Sequence, residues 1–300
     1  MARILLLTDR PQEDEWLVSR TFELAHRLDG REVSAVVTRS ADAMLATGFW
    51  FGVPDGGLLP QTMLPCSLSI GWDDAAATER LFARCRQDAA YYGLTCETVH
   101  ANTSLRRTAT MLVSIVGLVM VSRETLLSDE GELVPLRTLW SEVERPWLIC
   151  PTDAEPWKRI VVAAGTTAHR DDLIAWGEHW SQRLDVPMAL IELGSPPPLS
   201  AWSAVTRWLP WSSPRQHREA VCEGLLACGL GPGDLLLVDR EPAVWPFPTN
   251  ACHASLDDLV ASAPCSLGVA PMSPITATRK LLYPHGLAHA DESALEIVAG

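Results

Sequence analysis

The feature that most constrains this chain is a repeat. Lys158-Arg-Ile-Val-Val-Ala-Ala-Gly-Thr-Thr167 restarts, about halfway along, the pattern of the opening Ala2-Arg-Ile-Leu-Leu-Leu-Thr-Asp9. Each time a basic residue leads into a short, unbroken apolar run, then a polar turn, then a long stretch of helical periodicity. A run too continuous for a half-exposed strand suits a parallel strand buried on both faces, and the helix after it serves as the crossover. The pattern predicts a tandem α/β protein.

Composition agrees and excludes several function classes. The 300 residues are 47% apolar, enough for two ordinary cores. A net charge of −13 and a pI near 5.0 argue against a nucleic-acid or anionic-membrane surface, which needs clustered positive charge. Lys158 and Lys280 are the only lysines, so no Gly-Lys-Ser/Thr phosphate loop exists. The opening Leu5-Leu6-Leu7 ends at Thr8-Asp9, unlike a secretory leader. Met111 to Val121, the longest membrane-like run, is about half a bilayer span. A cytoplasmic protein with reduced cysteines is expected.

In the first half, strands are expected at residues 3–8, 33–38, 95–99 and 114–121. Helices are expected at 13–28, 75–92 and 104–111. Pro146-Trp-Leu-Ile-Cys-Pro151 reads as a short fifth strand or edge strand. Gly48 to Trp72, rich in Gly, Pro and aromatic residues, reads as a long loop or flap, its aromatics either binding a ligand or plugging an interface. Asp153 to Pro156 is the linker. The second half repeats the order with strands at 160–164, 187–193 and 235–238 and helices at 170–184, 215–228 and 256–262. The interval from Leu193 to Asp234 is only about half that from Thr38 to Gly117, so a strand and helix are lost or replaced. Pro196-Pro-Pro198 and a tryptophan segment containing Trp202, Trp208 and Trp211 fill it. These tryptophans either cover the bared sheet edge or form a partner surface.

The element order in the second half, Asp234-Leu-Leu-Leu-Val238, a loop, a helix, then Ala263-Pro-Cys265 and a short apolar strand, resembles the C-terminal half of universal stress protein domains. Lys158-Arg-Ile-Val-Val-Ala163 resembles their first strand. The resemblance spans both halves up to about Pro271. It implies two Rossmann-like parallel-sheet domains of the adenine nucleotide alpha hydrolase-like kind, residues 1–152 and a shortened 157–272, followed by a tail at 273–300. It further implies an internal pseudo-dimer joined through the last strands, Leu148 to Cys150 against Leu267 to Ala270.

ATP-binding members of that family carry an aspartate after the first strand and a glycine-rich loop after the fourth. The glycines bring backbone N–H groups close to phosphate oxygens, and a helix N-terminus adds partial positive charge. Asp9 fits the aspartate in the first half, and Gly165 takes its place in the second. The paired glycines are replaced by Ser122 and Thr125 in one half and by Asp239 and Pro242 in the other. Asp239 and Glu241 put carboxylates where polyphosphate belongs, and Pro242 removes a donor. Ser255 is better placed as a helix cap than as a ligand. ATP is therefore disfavoured as a cofactor. Asp9, Ser122, Arg123 and Thr125 remain as candidates for an altered anion or small-molecule site in the first half.

No catalytic set emerges. Cys96 and His100 straddle the end of a strand but lack an orienting third group. His285 and His289 have a metal-like spacing without a third ligand, so no metal is expected. No Gly-x-Ser-x-Gly elbow or Cys-x-x-Cys pair occurs. The expectation is a non-catalytic, stress-associated or regulatory protein that acts through an unidentified protein partner, with a homodimer allowed. The alternative is a nucleotide or small-molecule binder with weak ATPase activity, using the first half's crevice.

Overall fold

In the computed structural model of the chain, residues 3–38, 67–101, 105–112, 116–127, 145–165, 169–193, 214–240, 243–244 and 253–270 are described. The first half runs β1 (Arg3–Thr8), α1 (Glu15–Arg27), β2 (Glu32–Thr38), α2 (Ser67–Tyr92), β3 (Thr95–Ala101), α3 (Leu105–Leu112), β4 (Leu118–Ser122), α4 (Arg123–Leu126) and β5 (Trp147–Cys150). The second runs β6 (Arg159–Ala164), α5 (Arg170–Leu184), β7 (Met188–Glu192), α6 (Pro214–Ala227), β8 (Asp234–Val238), β9 (Ala243–Val244), β10 (His253–Ala254), α7 (Leu256–Ser262) and β11 (Ser266–Val269).

Nine strands form one sheet in the order β3-β2-β1-β4-β5-β11-β8-β6-β7. Every neighbouring pair is parallel except β5 and β11, which pair antiparallel with Leu267 opposite Ile149 and Val269 opposite Trp147. The last strands of the two halves thus meet along the expected runs. Pro146 and Pro151 bracket β5 without making it an edge, because neither proline lies within the paired residues. Among the described residues, β3 is the outer strand beyond β2, whereas nothing pairs beyond β7 in the second half.

Strand alternation assigns the core. Leu5 and Leu7 face one apolar layer with residues of α3, α6 and α7, while Ile4 and Leu6 face the other with residues of α1, α2 and α5. Coverage of both faces explains the uninterrupted apolar runs. Each layer draws residues from both halves, so the cores are divided by sheet face and are continuous across β5 and β11.

Several element boundaries differ from the sequence reading. The second helix begins at Ser67 rather than 75, so the end of the expected flap is helical. Gly71 within it costs only about 1 kcal/mol relative to alanine, which packing of the rest of α2 readily offsets. The remainder of that flap lies outside the described residues. The fourth strand begins at Leu118 and extends to Ser122. The short antiparallel β9–β10 pair after β8 was not anticipated. Ser255 caps α7 as expected, and the structure adds a reciprocal bond from its backbone N–H to Asp258 that completes a capping box. No described helix is long and apolar enough to cross a membrane.

Candidate functional site

β1 and β4 are neighbours in the parallel sheet, so Thr8 and Ser122 end side by side at its C-terminal edge, where α/β proteins place ligand crevices. Both side chains are buried. After β4 the chain turns into α4, and the Ser122 hydroxyl caps it by accepting from the Thr125 backbone N–H at 3.2 Å. After β1, the backbone N–H groups of Glu13 and Asp14 bond the Arg10 carbonyl, swinging Asp14 back over the strand ends.

Asp14 is the centre of the arrangement, and sequence reasoning missed it. It occupies the N-cap position of α1 yet makes no side-chain cap. Its Oδ2 instead accepts from the Thr8 hydroxyl at 2.5 Å and from the Thr125 hydroxyl at 3.0 Å. Ser122 Oγ lies 3.0 Å from Thr125 Oγ1, and Thr8 Oγ1 accepts the Arg10 backbone N–H at 2.9 Å. Asp14 is only 1% exposed, and its Oδ1 has no hydrogen-bond partner. Burial raises its carboxyl above the ordinary aspartate range, partly offset by hydrogen bonds from Thr8, Ser122 and Thr125, while Glu124 adds like charge. The only hint in the sequence was an N-cap aspartate whose α1 lacks a reciprocating Glu or Gln at its third position, where Leu17 stands.

Asp9 lies half-buried beside this group. Burial pushes its carboxyl up to about 6 against the favourable neighbourhood of Thr125 and Arg10, with Asp14 adding repulsion. Thr125 has one hydroxyl proton, already donated to Asp14, so its help to Asp9 is partial and Asp9 Oδ1 stays buried without a partner.

Arg123, expected to line the same crevice, is committed elsewhere. Its Nη2 donates to the carbonyls of Ala263 at 2.5 Å and Cys265 at 3.0 Å, at the entry to β11. Arg240, just past β8, makes the reciprocal reach, donating to the carbonyls of Arg145 and Ala270 at 2.7 and 2.8 Å. The structure therefore brings Asp9, Ser122 and Thr125 together with Asp14, and assigns Arg123 to the seam between β5 and β11.

The remaining candidates separate cleanly. Cys96 and His100 sit four residues apart on one strand, so their Cα atoms are about 13 Å apart and the two cannot form a nucleophile pair. Trp202, Trp208, Trp211, His285 and His289 lie outside the described residues. Among the described residues no three His, Cys, Asp or Glu side chains are placed to share a metal. In the second half, Gly165 follows β6, the Asp239 carboxylate accepts the Arg240 backbone N–H at 2.7 Å, and β9 pairs with β10 beyond it.

Chemically, the ends of β1 and β4 offer buried hydroxyl donors already engaged by an internal carboxylate, with Asp9 and Glu124 close by. An entering polyphosphate would meet negative charge and compete with Asp14 for the donors. A neutral polar molecule meets a smaller penalty.

These features define a doubly wound α/β protein with a buried polar cluster at the ends of its first and fourth strands. No established protein family matches the chain, and no curated protein does. Solved structures match the fold. A functionally unknown protein from Pseudomonas aeruginosa PAO1 is similar over 94% of this chain and 97% of its own, with 12% identity and a TM-score of 0.52. A protein from Pseudomonas aeruginosa UCBPP-PA14, provisionally assigned as a universal stress protein, is similar over 94% and 98%, at the same identity and TM-score. The chain shares its fold with these proteins.

Proposed function

We propose that this chain is a tandem protein of the universal stress type, non-catalytic, with a degenerate nucleotide site, acting in stress or regulation through protein contacts. Residues 1–152 and 157–272 would be its two domains, paired as an internal pseudo-dimer. The shared fold, the β5–β11 pairing and the reciprocal Arg123 and Arg240 contacts support the tandem reading. The observation that carries the degenerate-site reading is the Asp14 carboxylate, which takes the Thr8 and Thr125 hydroxyl protons where a phosphate oxygen would need them.

Protein contact is assigned to the segment carrying Trp202, Trp208 and Trp211, because clustered tryptophans are the residues most enriched at binding hot spots. Native mass spectrometry of the freshly purified chain, followed by thermal shift with magnesium-ATP, tests the reading. A ligand-free mass and an unchanged melting temperature are expected. A co-purified nucleotide, or a stabilisation removed by Asp9→Ala and Ser122→Ala, would replace it with the second reading, a small-molecule binder with weak ATPase activity using Asp9, Ser122 and Thr125. That alternative draws on the raised Asp9 carboxyl and its unpartnered oxygen.

A further inference from the structure

Among the described residues, β7 pairs with β6 on one side and with nothing on the other, whereas its counterpart in the first half, β2, is flanked by β3. The ladder fixes which backbone groups face that open edge. The Pro187 carbonyl accepts the Ile160 N–H at 2.9 Å, and the Leu193 N–H donates to the Ala164 carbonyl at 2.8 Å. Residues along a strand bond alternately to one side and the other, so Ala189 and Ile191 also face β6. Met188, Leu190 and Glu192 turn both N–H and C=O outward. Leu190 is the middle one of the three, and among the described residues it is the only large apolar side chain of a strand that is exposed, at 42%.

The two outer strands differ in their protection against edge pairing. The exposed side chains of β3 are polar, namely Thr95, Glu97 and His100. β7, Met188-Ala-Leu-Ile-Glu192, contains no proline or basic residue to discourage another strand.

The edge is self-complementary in one register. A second copy turned about a twofold axis through Leu190 runs antiparallel, setting Leu190 against Leu190 and Met188 against Glu192, each pair exchanging both N–H···O=C bonds. Moving the axis to Glu192 would set two carboxylates directly opposite each other. Moving it to Met188 would call on Val186, whose N–H already donates to the Ser181 carbonyl at 3.2 Å and whose carbonyl accepts the Ser181 hydroxyl at 2.6 Å. An axis through Ala189 or Ile191 leaves one outward residue of each copy without a counterpart in β7.

We propose that two copies of this chain associate edge to edge through β7, about a twofold axis at Leu190, so that the sheet continues from one copy into the other. The last strands of the two halves, β5 and β11, already join in the same antiparallel manner within the chain. A five-residue strand is a small contact beside the roughly 1,200 Å² of a standard interface, so the dimer dissociates on dilution.

Sedimentation velocity of the full chain from about 1 to about 200 µM tests the association, with monomer expected at the low end and dimer at the high end. Leu190→Lys places a charge at the centre of the pairing and should raise the dissociation constant at least about tenfold, with far-UV circular dichroism unchanged. His100→Lys, on the other outer strand, should leave the association as it was. Hydrogen exchange followed by NMR on the unmodified chain needs no substitution and decides the matter should Leu190→Lys not fold. From dilute to concentrated samples the Met188, Leu190 and Glu192 amides should gain about tenfold or more protection, while those of Ala189 and Ile191, bonded to β6, are protected in both. A chain that stays monomeric throughout, a dimer indifferent to Leu190→Lys, or new protection on β3 instead of β7 would each overturn the proposal. So would protection of the three outward amides that does not change with concentration, the result expected if another segment of the same chain covers β7.

Discussion

Arg123 and Arg240 reach across the β5–β11 seam in opposite directions, each ending on the carbonyl of a residue that precedes a proline. Arg123 donates to Ala263 before Pro264, and Arg240 to Arg145 before Pro146. A buried carbonyl at a strand entry needs a donor, and a guanidinium supplies several in a fixed fork. Arg123→Met and Arg240→Met should each cost about 1.5–3 kcal/mol. The contacts lie at opposite ends of β11, so the double variant should be additive within about 0.5 kcal/mol. Urea denaturation of the four proteins measures both. Strong non-additivity would mean that the two arginines hold one cooperative unit rather than two independent ends.

Asp14 should tolerate loss of its charge better than loss of its acceptor. Asp14→Ala leaves the buried Thr8 and Thr125 hydroxyl protons without their acceptor, at a cost of about 2–4 kcal/mol. Asp14→Asn keeps a carbonyl oxygen and removes a buried charge, so it should stay within about 1 kcal/mol of the parent at neutral pH. Denaturation midpoints at constant m-value separate the two outcomes. An Asn variant as unstable as the Ala variant would show that the ionised carboxylate itself is required.

The Asp9 carboxyl imposes a pH dependence whose sign is opposite to that of a salt-bridged aspartate. It rises from an ordinary 3.8 to about 6 on burial, so between these values the folded chain binds more protons than the unfolded one. Its contribution to stability therefore falls as pH rises from about 4 to about 6 and persists above that as a penalty. Asp9→Asn should be nearly neutral at pH about 4 and stabilising by about 1–2 kcal/mol at pH about 8, the half-exposed position limiting the gain. Equilibrium unfolding of both proteins across that range is the check, and a gain that shrinks with rising pH would contradict the sign.

Gly177 is in the middle of α5, where alanine would ordinarily add about 1 kcal/mol of helix propensity. A Cβ there would sit 2.3 Å from Val162 Cγ2 and 3.0 Å from Met188 Sδ. Val162 is branched, buried and on β6 between two neighbouring strands, so it cannot swing away. Overpacking of about 1–3 kcal/mol should outweigh propensity, making Gly177→Ala destabilising by about 1 kcal/mol or more. Adding Val162→Ala should recover part of the loss, and thermal melts of the single and double variants decide it.

The sequence by itself determined what depends on local patterning. Apolar runs such as Ile160 to Ala164 fixed the buried strands because only residues shielded on both faces can be continuously apolar. Ser255 as a helix cap marked the start of α7, and the order of strands placed Asp9, Ser122 and Thr125 at adjacent strand ends. The boundaries of the second helix and fourth strand were less legible, since tertiary packing overrides a glycine or a polar terminal residue. Only the folded chain decided which distant groups meet. Asp14 reads as an ordinary helix cap until β4 brings Thr125 to it, and Arg123 reads as an anion ligand until β11 presents two carbonyls. Periodicity encodes which face of an element is buried, whereas a polar contact depends on angles and register between elements that no local pattern carries.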